Sequence, residues 1–267
     1  MSFPEIEAPN GIEKRWPVCF FPISGIPVIQ RGDDIGLEIY QAAKQIKFSF
    51  QKNDIIVVAQ KIISKAEGRT VSLNSVVPSE EARELSRKSG KPAELCQVSL
   101  KEAERIIKVE PGIVVTEHRL GYICTSAGVD RSNTGSPTGE IALLLPSNPD
   151  ESARRIRKKI EGLLDINISV IMSDSGGRSD RLGSRGEAIG VAGISPLLVD
   201  DKKDIFNRPL HTEIALADSV AAFASLVMGE SNEMCPVVVV RGVSYPIDEK
   251  ASIQTILKRG NVALQDL

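Results

Sequence analysis

Residues 79–127 read SEEARELSRKSGKPAELCQVSLKEAERIIKVEPGIVVTEHRLGYICTSA. The first part, SEEARELSRKSG, has helical character, and PAELCQVSLKEAERIIKV (92–109) reads as a second helix. Gly90 and Pro92 separate the two. Two β-rich runs then follow, IVVTE and YICTSA, joined by the tight HRLG. Helices thus come in pairs and strands come in pairs. A doubly wound sheet would alternate them strictly, so the expected class is α+β, with mixed sheets and packed helices.

Working outward from this stretch gives the same irregular rhythm. VCFFPI (18–23) and DIIVVAQ (54–60) are strand-like, and between them DIGLEIYQAAKQIKF carries Ile35, Ile39, Ala42, Ala43 and Ile46 at helical spacing. IALLL (141–145) reads as another strand. SNPDESARRIRKKIEGLLD (147–165) is the clearest helix, with Ala153, Ile156, Ile160, Leu163 and Leu164 as its apolar stripe and a basic opposite face. ISVIMS and PVVVV read as buried strands, TEIALADSVAAFASLVM (212–228) as a core helix and SIQTILKRG (252–260) as a terminal one. No repeat, low-complexity tract or linker interrupts the chain. Its 267 residues suit a single unit, or two intimately joined subdomains with no legible boundary.

Composition narrows the function. A net charge of −2 gives no global basic field to draw nucleic acid or a membrane surface. Four widely spaced cysteines (Cys19, Cys96, Cys124, Cys235) and two histidines (His118, His211) argue against a zinc site or a disulfide framework. The cysteines read as small core hydrophobes and the histidines as structural, His211 lying at an expected helix start. The first residues have no apolar signal-like core, and the apolar segment 213–229 carries Asp218 and is too short to span a bilayer. A cytoplasmic protein is expected.

Four polar, glycine-bearing segments follow strand ends: 24–34, 61–69, 125–135 and 173–183. The last, SDSGGRSDRLG, begins a stretch in which Arg178, Arg181 and Arg185 stand among five glycines. Mobile cations of this kind spread over phosphate oxygens, as Lys65 and Arg69 in ISKAEGR also can. Asp130 and Asp174 have the chemistry of a magnesium site shared with substrate phosphates. As isolated residues, each is equally a turn former or a helix cap. Neither the P-loop nor the dinucleotide-binding glycine fingerprint occurs, so a nucleotide site here is of another design.

Taken together, GIPVI (25–29), ISKAEGR (63–69), SAGVDRSN (126–133), SDSGGR (173–178) and EAIGVAG (187–193) resemble the coenzyme F420-0:L-glutamate ligase family. AAFASLVMGE (221–230) and PVVVVRG (236–242) extend the resemblance in order along the chain. It implies a GTP-dependent ligase that adds L-glutamate to the deazaflavin coenzyme F420-0 through an acyl phosphate. It implies an α+β fold in an intertwined homodimer, with magnesium or manganese bound and a monovalent cation such as potassium beside it. By position, Asp130, Asp174, Ser175 and Glu230 would hold metal. Ile26, Pro27, Val28 and Ile29 would line the guanine site. Ser64, Lys65 and Asn133 would contact nucleotide, with Lys65 and Arg178 as catalytic cations.

The chain also departs from that pattern. Asp180 stands in a loop where the family usually has an aromatic residue, Ser175 stands where threonine is commoner, and GSRGEAIG is unusually charged. These changes spare the metal ligands and bear on acceptor recognition. The rival readings are a related metal-dependent amide ligase on another acceptor, a metal-dependent kinase or hydrolase, and a non-catalytic nucleotide-binding protein.

Overall fold

The structure is a computed structural model and describes residues 17–136, 138–177 and 182–258. From the N-terminal side, β1 (Cys19–Pro22) leads to α1 (Ile35–Gln45), β2 (Ile55–Ala59), α2 (Gln60–Ala66) and a short β3 (Thr70–Ser72). Two successive helices, α3 (Glu80–Ser89) and α4 (Ala93–Glu102), are followed by β4 (Ala103–Glu110), β5 (Ile113–His118) and β6 (Ile123–Thr125). Next come β7 (Ile141–Leu143), α5 (Pro149–Leu164), β8 (Ser169–Gly177) and β9 (Ser184–Ile194). β10 (Leu197–Lys203), β11 (Pro209–Ala215), α6 (Leu216–Met228), β12 (Val237–Arg241) and β13 (Ile247–Asp248) complete the order. This is the mixed α+β architecture anticipated from the paired elements.

The central sheet runs β1-β12-β2-β8-β9-β13, and within it only β2 and β8 pair in parallel. Residues 55–58 of β2 and 237–240 of β12 are fully buried on both faces. Strands covered on both sides read as unbroken β-branched runs, as IIVV and VVVV do. α5 packs on β8 and β9, while α6 packs on β9, β12, β8 and β1. Each Ile or Val so buried contributes about 1.5–3 kcal/mol of transfer free energy. The helix starts are set locally. Asp34, Ser79 and Asn148 cap α1, α3 and α5 by accepting the backbone N–H of Leu37, Ala82 and Glu151.

Several expectations are corrected. The helix anticipated over 92–109 stops at Glu102, and residues 103–110 form β4 against β5. Ile106 and Val109 pack against a small cluster of Ala82, Leu85, Cys96 and Val114, so strand pairing wins over helical spacing. The core helix anticipated from 212 begins at Leu216, because residues 209–215 pair with β10. His211 therefore lies mid-strand, exposed, with Nδ1 2.6 Å from Asp201. The terminal helix shrinks to a 3-10 turn over Ile253–Ile256. Residues 173–177 and 184–190 are not loop but the paired arms of β8 and β9, and residues 60–66 are helix α2.

Candidate functional site

β2 and β8 run side by side in parallel, with Ala59, the last residue of β2, opposite Ser173 of β8. Here β2 passes directly into α2, which brings Gln60, Lys61 and Lys65, while β8 continues into Asp174 and Ser175. Between them lies a groove of about 420 Å3. Its far side is the turn at Ile26, Pro27, Val28 and Ile29, and its rim is the segment that follows α6. Ile26 and Ile29 are buried in the core and anchor the turn, leaving Pro27 and Val28 exposed.

Carboxylates and lysines meet at the groove floor. Asp174 is half-buried and interacts with the Ser175 backbone N–H and the Gln60 side chain. Burial and then the nearby Asp130 charge push its carboxyl up to about 7. Asp130 is desolvated too, yet it is held below the usual carboxylate range by Lys61 and Ser132. The Lys61 Nζ lies 2.7 Å from Asp130 Oδ2, and the Ser132 backbone N–H donates to Asp130 Oδ1 over 2.7 Å. Lys65 lies one helical turn beyond Lys61, and burial and then the Lys61 charge lower its pKa. A carboxylate raised this far is a site that favours a cation.

Ser175 Oγ donates to Glu230 Oε2 over 2.7 Å, joining β8 to the segment after α6. Asn133 Nδ2 donates to Ser231 O over 2.9 Å and ties the Asp130 loop to the same rim. The structure therefore brings Lys65, Asn133, Asp174, Ser175, Glu230 and residues 26–29 to one groove, with Asp130 immediately behind. Among the described residues, no group of three or more His, Cys, Asp and Glu side chains is placed to hold a metal. Asp130, Asp174, Ser175 and Glu230 offer oxygen donors alone, the donor type that a hard ion takes together with phosphate and water.

Other candidates lie elsewhere. Ser64 is buried and donates to Gln60 Oε1, so it supports α2 from the core side and does not line the groove. Arg69 pairs with Glu102 at 2.8 Å and donates to Leu145 O, a structural tie to α4. Arg178, Arg181 and Asp180 fall outside the described residues. His118 is buried, its Nδ1 accepting the Leu120 N–H, and it does not line the groove. The four cysteines are free, Cys96 buried and the other three half-buried. Lys61 and Gln60 escaped the sequence reading. The i, i+4 spacing of Lys61 and Lys65 is the signal that would have found Lys61, once the segment is taken as a helix.

The F420-0:gamma-glutamyl ligase family matches residues 25–242. The chain belongs to that family. Among curated relatives, the coenzyme F420:L-glutamate ligase of Methanocaldococcus jannaschii is 43% identical over 83% of this chain and 86% of its own length. That of Methanococcus maripaludis strain C7 is 42% identical over 88% and 92%. The Archaeoglobus fulgidus ligase is 37% identical over 90% and 97%. The family is one of enzymes, and its members are ligases. The matched residues include every groove element from Ile26 to Pro236. No helix among the described residues is long and apolar enough to cross a membrane.

Proposed function

We propose that the chain is a GTP-dependent ligase that joins L-glutamate to coenzyme F420-0 in the cytoplasm, as a homodimer. One observation carries the nucleotide half of this reading. A single groove, where β2 ends beside Ser173 of β8, is lined jointly by Lys65, Asn133, Asp174, Ser175, Glu230 and residues 26–29. Family membership supports the acceptor half.

A free carboxylate resists attack by an amine and must first be activated. The terminal carboxylate oxygen of F420-0 attacks the γ-phosphorus of GTP, the bond to the β-phosphate oxygen breaks, and GDP leaves. The product is an acyl phosphate. The glutamate α-amine then attacks its carbonyl carbon, the C–O bond to phosphate breaks, and the amide and inorganic phosphate result, with the amine's excess protons released to water and phosphate.

The first step brings two anions together, and the groove's residues lower that barrier. Lys65 lines the groove and would offer its ammonium to the γ-phosphoryl oxygens, and its partly desolvated position strengthens such a contact. Pro27 and Val28 offer apolar contact to the guanine base, and Asn133 offers an amide to the nucleotide. Asp130, Asp174, Ser175 and Glu230 would hold magnesium or manganese, with potassium nearby. When bound, the divalent ion neutralises phosphoryl charge. Incubation with GTP, manganese, L-glutamate and F420-0, followed by mass, tests the reading. A product heavier by one glutamyl residue supports it. GTP turnover with no amide product would instead indicate a kinase or hydrolase.

A further inference from the structure

A second cavity, of about 190 Å3, adjoins the groove and shares Asp174 and Ser175 with it. Cys124 of β6, Arg185 and Glu187 of β9 and Asp218 of α6 contribute to its other walls. The two cavities thus meet at the residues that close the floor of the nucleotide groove. A reaction that activates a carboxyl with GTP and then transfers it to an amine needs this relation. The activated carbon must lie where both sides can reach it, with the amine entering from the side away from the nucleotide.

The cavity has the size and charges for a free amino acid. It falls below the 300–1,000 Å3 or so of sites for drug-sized ligands, so a deazaflavin does not fit. Arg185 reaches Glu187 Oε1 through Nε and Nη2, both at 3.4 Å. Charge-assisted pairs normally close to about 2.7–2.9 Å, so the guanidinium is loosely engaged and can offer a carboxylate two parallel donors. Glu187 lies directly opposite Asp174 in the β8–β9 register. Residues opposite one another in such a pair present side chains on the same face, so the Glu187 carboxylate stands on this wall as an acceptor for an amine. Asp218 already accepts the Ala188 backbone N–H at 2.9 Å and serves the wall. Burial pushes the Cys124 thiol up to about 12, so that wall is neutral. The Glu187 carboxyl lies over Gly176, where a Cβ would come within 2.3 Å of the carboxyl carbon.

We infer that this second cavity is the amino-acid site, with the substrate's carboxylate on Arg185 and its amine beside Glu187, next to the Asp174 that the nucleotide groove shares. Arg185 is then the specificity-determining residue for the amine substrate. The inference rests on the ligase reading above, and its test separates the two. L-Glutamate is titrated calorimetrically into the full chain holding magnesium and a non-hydrolysable GTP analogue, beside Arg185→Met and Arg185→Lys. Glutamate affinity should fall roughly tenfold or more in Arg185→Met, the loss of a hydrogen-bonded charge pair, and recover in part in Arg185→Lys. Affinity for the GTP analogue should stay within about twofold, because Arg185 does not line the nucleotide groove. In turnover, the same variants should raise KM for glutamate and leave KM for GTP unchanged. If Arg185→Met binds glutamate as the parent does while both still form amide, this assignment is overturned and the ligase reading stands. If the parent protein neither binds glutamate nor forms amide, the ligase reading fails and this site fails with it.

Discussion

At the residue scale, the groove sets Asp174 against Lys65, one raised toward neutrality and the other lowered, each mainly by burial. Asp174→Ala should abolish amide formation while leaving the melting profile of a folded protein, because the loss falls on phosphoryl charge and not on the core. Near-normal activity with unchanged metal dependence would reduce Asp174 to a residue of β8 with no part in the chemistry. Lys65→Met should lower kcat by about 10²–10³ and weaken GTP binding far less, the signature of a contact made mainly in the transition state. Single-turnover amide formation beside an equilibrium GTP titration measures the split, and collapsed affinity with a surviving saturated rate would reduce Lys65 to a binding residue. The raised Asp174 carboxyl also predicts a pH effect. Its pKa is about 7 in the folded chain against 3.8 ordinarily. The stability it contributes is therefore complete below about pH 4 and is lost as pH rises through 7. A divalent ion binds only the carboxylate form, so added magnesium or manganese should raise the melting temperature more at pH 8 than at pH 5. Asp174→Asn should remove that difference. An equal metal effect at both pH values would detach Asp174 from the metal site.

At the element scale, the site's parts were more legible than its scaffold. Asp130, Asp174 and Lys65 stand out because charge on a glycine-rich stretch after a buried apolar run has few other uses. The geometry that joins them was not legible. SDSGG looks like loop, but residues 173–177 pair with 184–188, and a register shift after Met172 turns the strand as it enters the site. KIISKA looks like loop for its lysines and the following glycine, yet its packing at the end of β2 makes it α2. LLVDDKK and PLHTEIA gave no strand signal, because both strands are largely exposed and alternate little. What locks the scaffold is close approach. At Gly186, an added Cβ would lie 2.3 Å from the Ala221 backbone oxygen, so α6 rests directly on β9 there. Alanine ordinarily suits a strand interior better than glycine. Gly186→Ala should nevertheless destabilise by about 1–3 kcal/mol, because backbone cannot yield as a side chain can. Thermal unfolding checks the sign, and a stabilised variant would mean that α6 is free to shift.

At the scale of the whole molecule, β10 and β11 pair with each other and with no other strand among the described residues. Ile205 and Phe206, at the connection between them, are 94% and 72% exposed, and Val199, Leu210 and Ile214 along the strands are exposed as well. Scattered single hydrophobes are ordinary on a surface, but five on one two-stranded arm are the composition of a contact. An arm of this kind can reach a second copy, and a two-fold axis lets each copy receive what it gives. This accords with the homodimer that the family resemblance implies. Sedimentation should therefore show a dimer that persists on dilution to nanomolar concentration. The double substitution Ile205→Asp with Phe206→Asp places two charges where apolar contact is needed and should give a monomer with the circular dichroism of the parent. Because partner binding stabilises the folded chain by mass action, the parent's melting temperature should rise with protein concentration and the variant's should not. A parent chain that sediments as an active monomer, or a variant that remains a tight dimer, would remove the arm from the interface.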